Sequence, residues 1–147
     1  MAKVGFVGIG NMGGPMVRCL AKAGHQVRLF DLDPARLAPF ANEASFEIAK
    51  SLLELGRGLD VVITMVPDGK AVQAAALGDS GFASAMAKGG VIVDMSSSFP
   101  LDTRALAEKV APMGLAVVDA PVSGGVPKAV SGTLAIMAGG EGPQVDR

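Results

Sequence analysis

Short apolar runs alternate with stretches of helical periodicity along the chain. "KVGFVG" (3–8), "QVRLFD" (26–31), "DVVITMVP" (60–67), "GVIVDMS" (90–96), "LAVVDAP" (115–121) and "TLAIMAGG" (133–140) are rich in Val, Ile, Leu and Phe and read as strands. A weaker signal at 45–48 predicts a short edge strand. Helices are predicted over 11–23, 34–41, 51–57, 68–76 and 100–113. Gly24 and Gly114 stand just past two of these, and Pro100 opens one, as helix ends favour. The strands are continuous apolar runs rather than alternating ones, which is the pattern of strands covered on both faces. Strand–helix alternation with such runs predicts an α/β fold: one doubly wound, mainly parallel, Rossmann-like sheet in a single domain.

The first strand runs into "GIGNMGGPM", which places glycines at Gly8, Gly10 and Gly13 before a helix. In a dinucleotide-binding loop the first glycine permits the tight turn. The second lets backbone approach a pyrophosphate, and the third packs helix on strand. Asn11 and Met12 lie at that helix start, in reach of a cofactor. The competing reading is a bare strand–turn–helix. A further sign is Asp31, which ends the second strand eighteen residues after Gly13, near the spacing of about 20 expected for an acid on the adenosine ribose. Its carboxylate accepts from both ribose hydroxyls and repels a 2′-phosphate. Leu32 follows where an arginine would favour NADP, so NAD is expected over NADP. Asp33, before Pro34, reads as a helix cap, and Arg36 as a solvated helix face with a possible second use on a phosphate. A methyltransferase loop would carry an acid before the glycines, where this chain has Phe6 and Val7.

Composition narrows the partners. A net charge of −1 supplies no basic surplus for nucleic acid, and Trp and Tyr are absent. No apolar run is long enough to cross a membrane. The single cysteine, Cys19, forms no intrachain disulfide, and a cytoplasmic location is expected. No His, Cys, Asp or Glu cluster has metal-ligand spacing. His25, in a helix–strand turn, is expected at the wrong end of the sheet for catalysis. Asp94 and Asp119 end strands and are expected to cap the loops that follow.

A second constellation is "DAPVSGG" (119–125), beyond the carboxyl end of a strand, where open α/β sheets bind ligands. Ser123 offers a hydroxyl, and Gly124 and Gly125 offer unobstructed N–H groups, a set that suits a small carboxylate. A turn that needs glycine for its backbone angles is the alternative.

Taken in order, "GFVGIGNMGGPM", "ITMVP", "VDMSS" and "DAPVSGG…GTLAIMAGG" give the chain a resemblance to the β-hydroxyacid dehydrogenases. That group includes 3-hydroxyisobutyrate dehydrogenase, tartronate semialdehyde reductase and, more distantly, 6-phosphogluconate dehydrogenase. The resemblance implies that Gly8 to Gly13 cradle the pyrophosphate and Asp31 holds the ribose. It implies that Val66 and Pro67 line the cleft, Ser97 sits by the nicotinamide ribose, and Ser123, Gly124 and Gly125 bind substrate. Cys19, where relatives carry asparagine, and Lys128, where many carry glycine, depart from the pattern; Lys128 is expected at a surface helix start.

The resemblance also implies a catalytic lysine with a nearby asparagine on a helical second domain, and none of the lysines here aligns with it. The expectation is therefore the NAD-binding half of an oxidoreductase, residues 1–147, moving hydride between the nicotinamide and a small β-hydroxyacid or its semialdehyde. An apolar domain face predicts homo-oligomers. The alternative is a stand-alone dinucleotide-binding or sensing module without catalysis.

Overall fold

In the computed structural model, which describes residues 2–146, six strands form one parallel sheet. They are β1 (Lys3–Val7), β2 (Gln26–Phe30), β3 (Phe46–Ile48), β4 (Val61–Thr64), β5 (Val91–Asp94) and β6 (Ala116–Asp119), ordered β3-β2-β1-β4-β5-β6. The chain order reverses between β1 and β4, which is the switch point where such sheets bind ligands at the carboxyl ends of their strands. The helices are α1 (Gly13–Lys22), α2 (Pro34–Leu37), α3 (Leu52–Gly56), α4 (Gly69–Leu77), α5 (Pro100–Val110), α6 (Gly125–Ser131) and α7 (Gly142–Val145). Short 3-10 turns extend α2 and α5 and fill 82–85.

The apolar runs are continuous because β1, β4, β5 and β6 each feed two cores. Phe6 and Leu29 belong to one cluster with Met16 and Val17 of α1; Val7, Val62 and Ile92 belong to another with Val72 of α4 and Leu106 of α5. Successive side chains of a strand point to opposite faces, so both sides of the sheet are apolar. The helix ends follow local chemistry. Asp33, Ser51 and Asp68 accept backbone N–H groups at the starts of α2, α3 and α4. Gly114, with φ +77°, takes the left-handed position after the α5 extension.

The structure corrects the sequence expectation for residues 133–140. The run "TLAIMAGG" does not join the parallel sheet: β8 (Ala135–Ile136) pairs antiparallel with β7 (Val122–Ser123), and Gly139 bridges Asp119 at the outer edge of β6. Ile136 and Met137 stay exposed there, because no second layer covers them among the described residues. Arg28 lies buried in the middle of β2. Its Nη1 donates to the carbonyls of Glu54, Leu55 and Arg57, each at 3.0 Å, and its Nε to Glu47 at 3.0 Å. The guanidinium thereby serves the carboxyl end of α3, where free carbonyls concentrate negative charge.

Candidate dinucleotide cleft

The three glycines of the first loop answer to different demands. Gly8 has φ +98°, and a Cβ there would collide with the Met65 carbonyl oxygen. A Cβ on Gly13 would collide with the Gly8 carbonyl oxygen, so that glycine lets α1 rest directly on the end of β1. Gly10 is different. The nearest atom to a Cβ there is Nη1 of Arg36 at 3.6 Å, an ordinary contact with the tip of a flexible side chain. Nothing in the protein's own packing demands glycine at that position.

The loop opens onto a cleft of about 860 Å³, within the roughly 300–1,000 Å³ of small-molecule sites. Gly8, Gly10, Asn11, Met12, Gly13, Asp31, Met65, Val66 and Pro67 all line it, together with Leu32, Asp33 and Arg36. Helix α1 starts after Met12 rather than at Asn11, so both residues stand at its threshold. No side chain caps this helix and no acidic residue sits in its first turn. Its positive end therefore faces the cleft with no acid in its own first turn to offset it.

Asp31 is fixed. Its side chain is 7% exposed. One carboxylate oxygen accepts the Ile9 N–H at 2.7 Å and the other the Asp33 N–H at 2.8 Å. The carboxylate so ties the glycine loop to the end of β2. A carboxylate has about four lone-pair sites, so acceptor capacity remains for a ligand.

Across the switch point, the ends of β4 and β5 are joined by a buried polar network. Asp94 accepts from Thr64 Oγ1 at 3.0 Å, the Ser96 N–H at 3.0 Å and Ser98 Oγ at 2.7 Å. Ser96 Oγ in turn accepts the Val66 N–H at 2.9 Å, which fixes the loop that lines the cleft. Ser96 and Ser98 are thus committed inward, and Ser97 between them is exposed. Ser97 does not itself line the cleft.

Nor do Ser123, Gly124 and Gly125, which lie in β7 and at the start of α6 beyond the carboxyl end of β6. Gly124 has φ +136° and Gly125 φ +68°, so the turn itself requires glycine. Helix α6 packs on α1: Ala129 is buried, and Cys19 Sγ donates to its carbonyl at 3.4 Å. The second motif is held against the helix of the first. Lys128 lies within α6 rather than at its start, exposed, with its methylenes against Gly124. His25 accepts the Ala2 N–H at 3.1 Å, at the opposite end of the sheet from the cleft.

Asp94 caps its loop as expected. Asp119 instead faces a groove between α5 and the 139–144 segment. Burial holds its carboxyl above the ordinary value of 3.8, and the neighbouring Asp94 carboxylate adds to the rise. The folded state thus binds this proton more tightly than the unfolded chain, and stability falls as pH rises from 3.8 through the raised value. Asp119→Asn removes that loss. The variant is expected to melt above the wild type at pH 7, with the difference shrinking as pH falls toward 3.8.

Residues 3–147 match the family described as the NAD binding domain of 6-phosphogluconate dehydrogenase. The 3-hydroxyisobutyrate dehydrogenase of Pseudomonas aeruginosa is 42% identical over 140 residues, 95% of this chain and 47% of that protein. The 2-hydroxy-3-oxopropionate reductase of Escherichia coli is 41% identical over 140 residues, with the same coverages of 95% and 47%. The solved structure of Mycobacterium tuberculosis 3-hydroxyisobutyrate dehydrogenase with L-serine superposes with a TM-score of 0.90 at 36% identity, covering 100% of this chain and 49% of that one. The chain thus spans about half the length of these relatives. It belongs to the family of NAD binding domains of 6-phosphogluconate dehydrogenase.

Proposed function

We propose that these 147 residues form the cofactor-binding half of an enzyme that transfers hydride between NAD and a small β-hydroxyacid or its semialdehyde. The observation that carries this reading is Gly10: it opens onto the cleft between the uncapped end of α1 and the fixed carboxylate of Asp31, with no packing reason to be glycine. In this reading the N–H groups from Asn11 to Gly13 receive the pyrophosphate, and Asp31 accepts from the adenosine ribose. Leu32, 90% exposed, offers an apolar surface to the adenine, while Met12, Met65, Val66 and Pro67 keep the cleft wall dry. Ser97 serves the nicotinamide ribose. Ser123 and the amides of Gly124 and Gly125 hold the substrate carboxylate. The bound nicotinamide supplies the carbon that accepts or gives hydride.

No lysine lines the cleft among the described residues. We assign the proton-transferring lysine to a helical second domain, as the pattern of the β-hydroxyacid dehydrogenases implies. Positioned general acid–base groups contribute about 10²–10⁴-fold, so these residues alone are expected to bind cofactor and turn over little or no substrate. Exposed Phe99, Leu101 and Val130 support assembly into a homo-oligomer through apolar faces.

The test is titration of the 147-residue protein with NADH and NADPH, followed by cofactor fluorescence. Saturable NADH binding, displaced by NAD, is expected. Failure to bind either dinucleotide overturns the reading.

A further inference from the structure

Arg36 is the one cation among the described residues lining the cleft. It stands beside the position a cofactor's adenosine ribose takes in the reading above, on which the inference rests. Its Nη1 lies 3.7 Å from Asp31 Oδ2, its Nε lies 3.9 Å from Asp33 Oδ2, and its tip reaches over Gly10. These are ion pairs at the outer edge of contact. The two partners of the closer pair are unlike. Asp31 is anchored by two backbone N–H groups and nearly buried, whereas the Arg36 side chain is 55% exposed. Exposed ion pairs of this kind hold weakly. The carboxylate is therefore a fixed wall and the guanidinium is free to swing.

An acid in the position of Asp31 selects against a ribose 2′-phosphate by charge repulsion, and an arginine close by is the group that accommodates one. This chain carries both within one ion-pair distance. We propose that Arg36 sets how strongly the adenosine end rejects a 2′-phosphate. The guanidinium partly neutralises Asp31 and Asp33 when the ribose bears a free hydroxyl, and leaves them to meet the phosphate when it does not. A planar fork of N–H donors matches a phosphate better than it matches two carboxylates held apart at 3.7 and 3.9 Å. The site so prefers NADH while still accepting NADPH as a weaker ligand of the same cleft.

The experiment measures dissociation constants of NADH and NADPH for the wild type, Arg36→Gln and Arg36→Lys, each at low and at high salt. The ratio of the NADPH to the NADH constant is expected to rise about ten-fold in Arg36→Gln. It should rise less in Arg36→Lys, which keeps the charge but loses the fork. The rise in Arg36→Gln should be smaller at high salt, which screens the exposed cation–phosphate pair. A ratio that does not move in Arg36→Gln overturns the proposal, whether both affinities fall together, as for a residue that only stacks on adenine, or neither changes. No measurable NADPH binding by a wild type that binds NADH also overturns it. A wild type that binds neither nucleotide instead defeats the reading of the cleft itself. Circular dichroism verifies that each variant is folded.

Discussion

Gly10→Val is expected to leave the fold standing and to remove dinucleotide binding. The backbone at Gly10 lies outside the left-handed region, and a Cβ there meets only the movable tip of Arg36. A melting temperature within a few degrees of wild type is the first expected result. The added methyl groups project into the cleft, at the point where backbone must come within hydrogen-bond distance of a pyrophosphate. If two bonds to the phosphates are lost, at about 1.5–3 kcal/mol for each bond to a charged group, affinity drops by at least about 100-fold. Gly10→Ala should fall between the two. Gly13→Ala is the contrasting case. Its Cβ strikes the Gly8 carbonyl, so the expected loss is of stability, at or above the upper end of the roughly 1–3 kcal/mol usual for overpacking. Calorimetry with and without NADH separates the two behaviours. A Gly10→Val protein that is folded and binds NADH as the wild type does would show that the loop is only a turn.

That contrast explains how much of this molecule is legible in its sequence. Gly8 and Gly13 encode local geometry, a positive φ and a helix resting on a strand, so their spacing alone predicts the β1–α1 turn. The parallel strands are legible for a related reason. A strand covered on both faces needs apolar residues at successive positions, and β1 with β5 meet that need almost without interruption. The failures come where the outcome depends on a distant partner. "TLAIMAGG" has the composition of a buried strand, but whether such a run finds a neighbour and a covering layer is not written in it. Here it pairs with the two residues of β7, donates from Met137 to the Pro121 carbonyl and bridges Asp119. Arg28 is the reverse case, a charged residue within an apolar run whose burial depends on three carbonyls 26 to 29 positions away. In "DMSSS" (94–98) the three serines are equivalent as text. The long-range bonds from Thr64 and Val66 draw Asp94 and Ser96 inward, Ser98 turns back onto Asp94, and Ser97 is left exposed.

Asp31→Ala carries the second large effect, and it acts on fold and cleft together. The carboxylate accepts the Ile9 and Asp33 N–H groups at 2.7 and 2.8 Å, so truncation leaves two donors without their acceptor. Water reaches Asp33 readily, since that bond is exposed; the Ile9 N–H is partly buried and is harder to re-solvate. The net destabilisation is therefore about 1.5–3 kcal/mol, that of one bond to a charged group rather than two. In a domain stable by roughly 5–15 kcal/mol, the variant still folds, with a lower melting temperature. Binding suffers twice. The acceptor for the adenosine ribose is gone, and the glycine loop, no longer tied to β2 through Ile9, must be ordered at the ligand's expense. A loss of at least about 10-fold in NADH affinity follows from one bond at the lower end of that range, with ordering added to it. Asp31→Asn tests the argument further. An amide oxygen can serve one of the two N–H groups, while the amide nitrogen faces the other as donor against donor. It should recover part of the stability and little of the affinity. Thermal melts and NADH titration of both variants decide the matter: an Asp31→Ala protein with unchanged affinity would remove the carboxylate from the binding site, whatever its melting temperature.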